Sequence, residues 1–432
     1  MEISELYKIF LQHPTITTDT RECTQDSIFF ALKGETFNGN LFAMQALEKG
    51  CCYAVVDELT DETRHEKRVI LVDDVLSTLQ QLAHHHRTHL ATKIIGVTGT
   101  NGKTTTKELI ATVLSKRYRV LYTQGNFNNH IGVPKTLLRL TSEHDIAVIE
   151  MGANHPGEIK TLVEIVEPDY GIITNVGRAH LGGFGSFEGV MKTKGELYDF
   201  LRPRHSKIFL DKDNEYLCTM AHGLKHVCYG TKQDPENLVV GECAECAPYL
   251  TFRWHQRGCG EHTVSTRLIG DYNIHNMLAA IAIGLTFGIR EKDICQALED
   301  YTPSNNRSQL TMTESNKLVV DAYNANPTSM AAALRNFQAI KMQHKMLILG
   351  SMAELGDVTA EEHKKIIDII DTMDVEKVWL IGEGFATQQH RYRQFAGIEE
   401  VRDAILSEKP ENMFILIKGS NSQRLFTLPE IL

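Results

Sequence analysis

Short, nearly continuous apolar runs alternate with stretches of helical periodicity along most of this chain, which predicts parallel strands covered by helices on both faces. Between residues 92 and 306 the runs predict strands at Ile94–Val97, Val120–Thr123, Ile146–Ile149, Gly171–Thr174, Ile208–Leu210 and His226–Tyr229. From Leu238 to Leu268 the period changes to two around Arg257-Gly258-Cys259-Gly260, so a small antiparallel patch is expected at an edge of that sheet. Helices are expected next at Asn273–Phe287 and Glu291–Asp300. Thr302-Pro303-Ser304-Asn305-Asn306-Arg307-Ser308 is polar and turn-rich, and reads as a hinge. Beyond it, strands at Leu318–Val320, Met346–Leu349, Val378–Ile381 and Phe414–Ile417 alternate with three helices. The first of these helices opens with Asn326 as cap and Pro327 at its first position.

Before residue 92 the elements are shorter and mixed. Ile28–Leu32, Cys52–Val56 and Val69–Val72 read as strands, Leu41–Lys49 as a helix, and Leu76, Leu79, Leu82 and Leu90 recur at helical spacing. His84, His85, His86 and His89 lie on that last helix, where a solvated face is expected rather than a metal site. The fold class expected is α/β in three domains: a small mixed α/β domain (1–91), a central parallel-sheet domain (92–308) and a C-terminal Rossmann-like, doubly wound domain (309–432).

A glycine-rich stretch adds chemistry to this architecture. Gly96-Val97-Thr98-Gly99-Thr100-Asn101-Gly102-Lys103-Thr104-Thr105 closes the strand at Ile94 and opens a helix expected over Lys103–Arg117. Glycines let the backbone of Gly99, Thr100, Asn101 and Gly102 pass close to a polyphosphate, and the first N–H groups of the helix point at it. Lys103 is placed to reach the β/γ-phosphates and Thr104 to offer its hydroxyl to Mg²⁺. The loop departs from a strict Walker A pattern, which has glycine where this chain has Val97. A bound nucleoside triphosphate is expected.

Composition narrows the remaining classes. With 42% hydrophobic and 23% charged residues in 432, the chain is that of a globular protein with ample core. A formal net charge of -10 argues against broad nucleic-acid binding. Nine cysteines without a framework fit reduced thiols, and Cys243 and Cys246 lack the second pair of a zinc site. Met1-Glu2-Ile3-Ser4-Glu5 has neither the basic start nor the apolar core of a signal peptide, and no apolar run is long enough to span a bilayer. The expectation is a cytoplasmic protein without membrane insertion.

In open α/β sheets ligands gather beyond the carboxyl ends of the strands, and several polar residues fall there. Glu150 ends the strand at Ile146 and is placed to hold Mg²⁺, a hard cation that prefers oxygen; the alternative is a solvated strand-end glutamate. His180 follows Asn175-Val176-Gly177-Arg178-Ala179 in a glycine-containing loop, where a structural and a functional role are both open. Lys194, in Lys192-Thr193-Lys194-Gly195-Glu196, reads as a phosphate contact or a surface lysine. The amides clustered in Asn126-Phe127-Asn128-Asn129-His130-Ile131-Gly132-Val133-Pro134 suggest a polar ligand. Asp321 opens Asp321-Ala322-Tyr323-Asn324-Ala325-Asn326-Pro327, either a ligand contact or a helix-cap loop.

Taken together, the Gly-Lys-Thr loop, the run from Glu150 to Ile159 and the run from Asn175 to His180 resemble the Mur ligases, ATP-dependent amide-forming enzymes of peptidoglycan precursor synthesis. Gly125 to Gly132, Asp321 to Pro327, Leu349-Gly350-Ser351-Met352-Ala353-Glu354-Leu355-Gly356 and Lys418-Gly419-Ser420 resemble the branch that adds D-alanyl-D-alanine. Asp19-Thr20-Arg21 and Phe30-Ala31-Leu32-Lys33-Gly34 are similar to its UDP-sugar-binding domain, so the resemblance spans essentially the whole chain.

The resemblance implies a fold, an activity and a set of roles. The first domain would bind the UDP-sugar through Asp19, Thr20 and Arg21, and the last would close over ATP and bind D-alanyl-D-alanine. Gly99 to Thr105 would hold ATP, with Asn273, Asn276, Arg307 and Asp321 also approaching the nucleotide. Thr104, Glu150, His180 and Lys194, the last as a carbamate, would hold Mg²⁺, while Lys103, His180 and Lys194 would be the catalytic set. Asn128, Asn129, Asn324 and Asn326 would contact substrate. The substrates implied are UDP-N-acetylmuramoyl tripeptide and D-alanyl-D-alanine, with no nucleic-acid partner and a monomer as the default state. Three positions depart from the family: Tyr272 stands in place of histidine, Asn421 of arginine and Ser351 of aspartate.

Overall fold

A computed structural model of the chain describes residues 1–246, 248–303 and 309–432. Arg307, expected at the nucleotide, lies outside the described residues. The chain divides into two units, the first comprising Met1–Val97, Tyr118–Gly152 and Gly157–Gly171, the second Thr98–Arg117, Ala153–Pro156 and Ile172–Leu432.

In the first unit, β1 (Ile16–Thr17), β2 (Ile28–Phe30), β3 (Tyr53–Val56) and β4 (Val69–Leu71) form a parallel sheet in chain order. The helix Ile3–Gln12, which the apolar pattern did not signal, buries Leu6 and Phe10. The helix Val75–Thr88 buries Leu79 and Leu82 as expected, with Val75 and Ala83 beside them, whereas Leu76 is half-buried and Leu90 lies beyond its end. It also corrects the expectation of a solvated histidine face for one residue, since His89 is exposed and His84 and His85 are half-buried but His86 is not on the surface. His86 is 5% exposed, its Nε2 lying 2.9 Å from the Leu140 carbonyl and its Nδ1 3.2 Å from the Tyr7 hydroxyl. Burial holds its pKa below the ordinary value.

The same unit carries a second parallel set, β5 (Lys93–Thr98, ending in the second unit), β6 (Val120–Tyr122) and β7 (Ile146–Glu150), in the order β5-β7-β6. All five residues of β7 are buried, as expected of a strand covered on both faces. Its register sets Val97 opposite Glu150.

The second unit takes up β8 (Tyr170–Ile173) at its last two residues. There follow β9 (Lys207–Asp211), β10 (Lys225–Gly230), β11 (Asn237–Cys246), β12 (Tyr249–Gln256) and β13 (Glu261–Ile269), hydrogen-bonded in that order. The β9–β10 and β10–β11 pairs are parallel, and β11, β12 and β13 are antiparallel, which is the edge patch the alternation predicted. The helix Ile274–Thr286 is buried along nearly its whole length, from Ile274 to Gly284 except His275.

The C-terminal sheet contains β14 (Gln309–Met312), β15 (Lys317–Asp321), β16 (Lys345–Gly350), β17 (Lys377–Ile381), β18 (Arg393–Phe395) and β19 (Phe414–Lys418) in the order β14-β15-β19-β16-β17-β18. The four expected strands are its parallel centre. The two edges were not expected: β14 is antiparallel to β15, and β18 is short and half polar. Alternate residues feed two cores, Val319, Leu347 and Leu349 on one face and Leu318, Val320, Met346 and Ile348 on the other. Asn326 caps the helix Pro327–Ala339 with a reciprocal Ser329 bond, as the sequence pattern required. Among the described residues no helix is long and apolar enough to cross a membrane.

Candidate functional site

The glycine-rich loop joins β5 to the helix Lys103–Leu114, and two of its glycines have left-handed backbones, Gly99 at φ 141° and Gly102 at φ 77°. Side chains at either position would collide with the surroundings. A Cβ on Gly99 would fall 2.1 Å from Thr174 Oγ1, and one on Gly102 2.7 Å from Asn276 Oδ1. Lys103 folds over the loop, its ammonium donating to the Gly99 and Thr100 carbonyls at 2.9 and 3.0 Å.

What holds the loop was only partly legible beforehand. Asn175, just beyond β8, accepts the Asn101 N–H on its Oδ1 at 3.0 Å and donates Nδ2 to the Asn101 carbonyl at 3.0 Å. Thr174, which no motif singled out, donates its hydroxyl to the same carbonyl at 2.6 Å. The Thr100 N–H adds a bond to the Asn175 carbonyl at 3.0 Å. The loop's shape is thus held by bonds within the protein itself. Asn175→Ala removes both amide bonds to Asn101, each with a net value of about 1 kcal/mol. The expected outcome is an ATP KM raised roughly ten- to thirtyfold with a smaller change in kcat, read from ATP-dependent steady-state rates.

Asn273 and Asn276 flank the loop from the start of the helix Ile274–Thr286. Asn276 accepts the Thr106 hydroxyl at 3.0 Å and donates to Asn273 Oδ1 at 2.8 Å, while Asn273 donates to the Ile269 carbonyl at 2.8 Å. Next to them is a pair that sequence reasoning missed. His275 Nδ1 lies 3.0 Å from Asp211 Oδ2 at the carboxyl end of β9. Burial pushes its pKa down, but Asp211, then Asp213 and Asp271, outweigh that and raise it. The only signal for it was an Asp-Lys-Asp run at a strand end.

Residues of the C-terminal sheet reach the same loop. Asn326 donates its Nδ2 to Asn101 Oδ1 at 2.8 Å. Asp321 receives the buried ammonium of Lys418 at 2.5 Å, and Lys418 also donates to the Asn324 carbonyl at 3.1 Å. Asn324 uses its own Oδ1 for the Ala325 N–H at 2.8 Å. Tyr272, the departure from histidine, lines a small cavity with Asp321 and Asn336.

Lys194 is not the surface lysine that one reading allowed. It is 2% exposed on the helix Phe187–Leu201, with Nζ donating to the Ala153 carbonyl at 3.1 Å and lying 5.2 Å from the centroid of the Phe184 ring. The ring of His180 meets that same Phe184 edge-on, with centroids 6.2 Å apart. His180 Nδ1 is bonded to the Glu354 carboxylate. Burial lowers the His180 pKa most, Glu354 opposes this, and the charges of Lys103 and Lys194 add to the lowering.

The first unit places its own candidates. Glu150 is 1% exposed, which removes the reading of a solvated glutamate; its Oε1 accepts Asn128 Nδ2 at 2.8 Å and its N–H donates to Thr123 Oγ1 at 2.9 Å. Asn129 caps the helix Gly132–Leu137, its Oδ1 accepting the Ile131 and Gly132 N–H groups at 3.1 and 2.8 Å. Asp19 is bidentate with Arg21, whose side chain is 86% exposed. The Arg21 side-chain and backbone donors hold the Asp19 pKa at about 2. Thr20 offers its carbonyl to Lys49 at 2.9 Å.

Three family models match the chain: the catalytic domain of the Mur ligase family over residues 14–87, the Mur ligase middle domain over 97–284 and the Mur ligase glutamate ligase domain over 306–421. A UDP-N-acetylmuramoyl-tripeptide–D-alanyl-D-alanine ligase from Bacillus subtilis is 35% identical, covering 98% of this chain and 95% of its own. The ligase of the same name from Escherichia coli is 33% identical over 94% of this chain and 91% of its own. A crystal structure of MurF from Acinetobacter baumannii superposes with a TM-score of 0.85 at 31% identity, covering 96% of this chain and 92% of that one.

Proposed function

Because the chain belongs to the Mur ligase family, we infer that it is the ATP-dependent ligase joining D-alanyl-D-alanine to UDP-N-acetylmuramoyl tripeptide, which gives the UDP-N-acetylmuramoyl pentapeptide of peptidoglycan synthesis. The observation that carries the ATP half of this reading is the glycine loop with Lys103 folded over it, shaped by Thr174 and Asn175. A division into three domains, 1–91, 92–308 and 309–432, is our reading, and three separate family-model matches, over 14–87, 97–284 and 306–421, support it.

Joining an amine to a carboxylate in water is uphill, so the carboxylate is first activated. The terminal carboxylate of the tripeptide attacks the γ-phosphorus of ATP, releasing ADP and forming an acyl phosphate. The amino group of D-alanyl-D-alanine then attacks the acyl carbon, phosphate leaves, and the amine proton is lost. Lys103 and the loop N–H groups offset the charge that builds on the phosphoryl oxygens, the main lever in this chemistry. Asn101, gripped by Asn175 and by Asn326, holds the loop to that shape.

The donors present suit a hard divalent cation. Glu150 is a buried carboxylate steadied by Asn128, and Thr104 is a buried hydroxyl in the first turn after the loop. Mg²⁺ would be held by these oxygens, by His180 through its second ring nitrogen and by Lys194 as a carbamate, and supplies charge neutralisation for phosphoryl transfer when bound. Asp19, Thr20 and Arg21 are assigned to the UDP-sugar, and Asn273, Asn276, Arg307 and Asp321 to the nucleotide. Asn128, Asn129, Asn324 and Asn326 are assigned to the substrates. Support for each is its match to the family's motifs.

ADP release is the direct test, measured with ATP, Mg²⁺ and UDP-N-acetylmuramoyl tripeptide, with and without D-alanyl-D-alanine. Release that depends on the dipeptide, with a pentapeptide product by mass, is expected. Turnover only of the UDP-dipeptide with a diamino acid would transfer the assignment to the sibling ligase that adds the third residue.

A further inference from the structure

The loop after β16 carries a carboxylate that the chemistry above does not use. Glu354 lies on the C-terminal sheet's side of the second unit, yet it meets the His180 loop twice. Its carboxylate bonds His180 Nδ1, and its carbonyl accepts the Gly182 N–H at 3.1 Å. Both residues have left-handed backbones, His180 at φ 50° and Glu354 at φ 61°, conformations that side chains of this size rarely adopt. Two glycines make the approach possible: a Cβ on Gly356 would lie 3.2 Å from Gly182 Cα.

Arg178, two residues before His180, also meets residues of two C-terminal helices, Pro327–Ala339 and Thr359–Asp371. Arg178 pairs with the buried carboxylate of Glu362 at 2.9 Å, and its N–H donates to Thr328 Oγ1 at 3.2 Å. The His180 loop is thus bonded to C-terminal residues both before and after His180, and Glu354 is the one that touches the imidazole. An imidazole ligates a cation through one nitrogen only, and a carboxylate on the other fixes the tautomer and the ring plane. With Nδ1 committed as donor to Glu354, Nε2 carries the lone pair.

We propose that Glu354 is a positioning residue: its carboxylate accepts a hydrogen bond from the Nδ1–H of His180 and so presents Nε2 as a cation ligand only when the C-terminal sheet is docked on the His180 loop. This rests on the reading of His180 as a Mg²⁺ ligand. Docking of the last domain would then complete the cation site as well as enclose the nucleotide, because the orienting carboxylate arrives with it.

The test is Mn²⁺ binding, followed by electron paramagnetic resonance, to the full chain with a non-hydrolysable ATP analogue, beside kcat and KM for the parent, Glu354→Ala, Glu354→Gln and His180→Ala. For Glu354→Ala, Mn²⁺ affinity and kcat are expected to fall on the order of ten- to a hundredfold, with the KM of the UDP-sugar substrate unchanged. Glu354→Gln keeps a carbonyl that accepts the Nδ1 proton and should restore most of both. In a His180→Ala background the Glu354→Ala change should add nothing further. Parent-like Mn²⁺ affinity in Glu354→Ala beside a weakened His180→Ala overturns the positioning role alone. An equal loss in Gln and Ala variants that stays additive with His180→Ala overturns it too. Parent-like affinity in His180→Ala removes the ligand reading itself, and the positioning role with it.

Discussion

Lys103→Ala is expected to reduce kcat for ATP turnover by about 10³-fold or more while leaving the fold intact. Its ammonium bonds the loop it belongs to through the Gly99 and Thr100 carbonyls. During transfer the phosphoryl oxygens carry charge that has no other lysine in the loop to meet it. A pre-aligned ammonium stabilises that charge without reorganising, and a 10³-fold loss corresponds to about 4 kcal/mol of barrier. Arginine is not a substitute, because a planar fork cannot replace a point charge folded over a tight loop. The measurements are ADP release, the KM of the UDP-sugar substrate and the thermal midpoint. Near-parent ADP release would sink the assignment of the loop, whereas an unchanged midpoint with lost turnover would support it.

For Lys194→Ala the expected loss is on the order of 10²- to 10³-fold in kcat, partly recovered by millimolar formate or acetate. Lys194 is 2% exposed, with the Ala153 carbonyl and the Phe184 ring among its neighbours. Its neutral amine can add to dissolved CO₂: a C–N bond forms, one proton leaves to water, and an anionic carboxylate remains on Nζ. That product is an oxygen ligand suited to a hard cation, where the parent ammonium would repel one. Alanine opens the space that the side chain fills, and a small carboxylate can enter it and supply the missing oxygens. Loss that no short carboxylic acid reverses would weigh against the carbamate. So would the absence of a carbamate carbon signal from active enzyme equilibrated with labelled bicarbonate.

These expectations drew on features that a chain displays locally. A strand of consecutive apolar residues, a glycine loop and the start of a helix are encoded within a dozen positions, so Ile94 to Thr105 could be read directly. Glu150 was legible for the same reason, since it ends an apolar run, and the Asn326-Pro327 cap was legible from its two residue types. The edge strands β14 and β18 were not, because short, half-polar edge segments carry almost no period. His86 was misplaced because one histidine of a cluster turned inward to a carbonyl of another element, and no spacing rule foretells that.

Pairings across long separations show the limit most clearly. Asn128 steadies Glu150, Thr174 and Asn175 clasp Asn101 from another strand, and Glu354 meets His180 from the other end of the chain. By itself the sequence determined most of the α/β elements, the glycine loop with its lysine, and the family, because local periodicity and short motifs record them. Only the tertiary structure decided that Lys194 is buried, that Asn101 is gripped from two sides, and that His180 has a carboxylate behind it. Each of those depends on which elements dock together, and docking is set by the packing of whole faces rather than by any neighbouring residues in the chain.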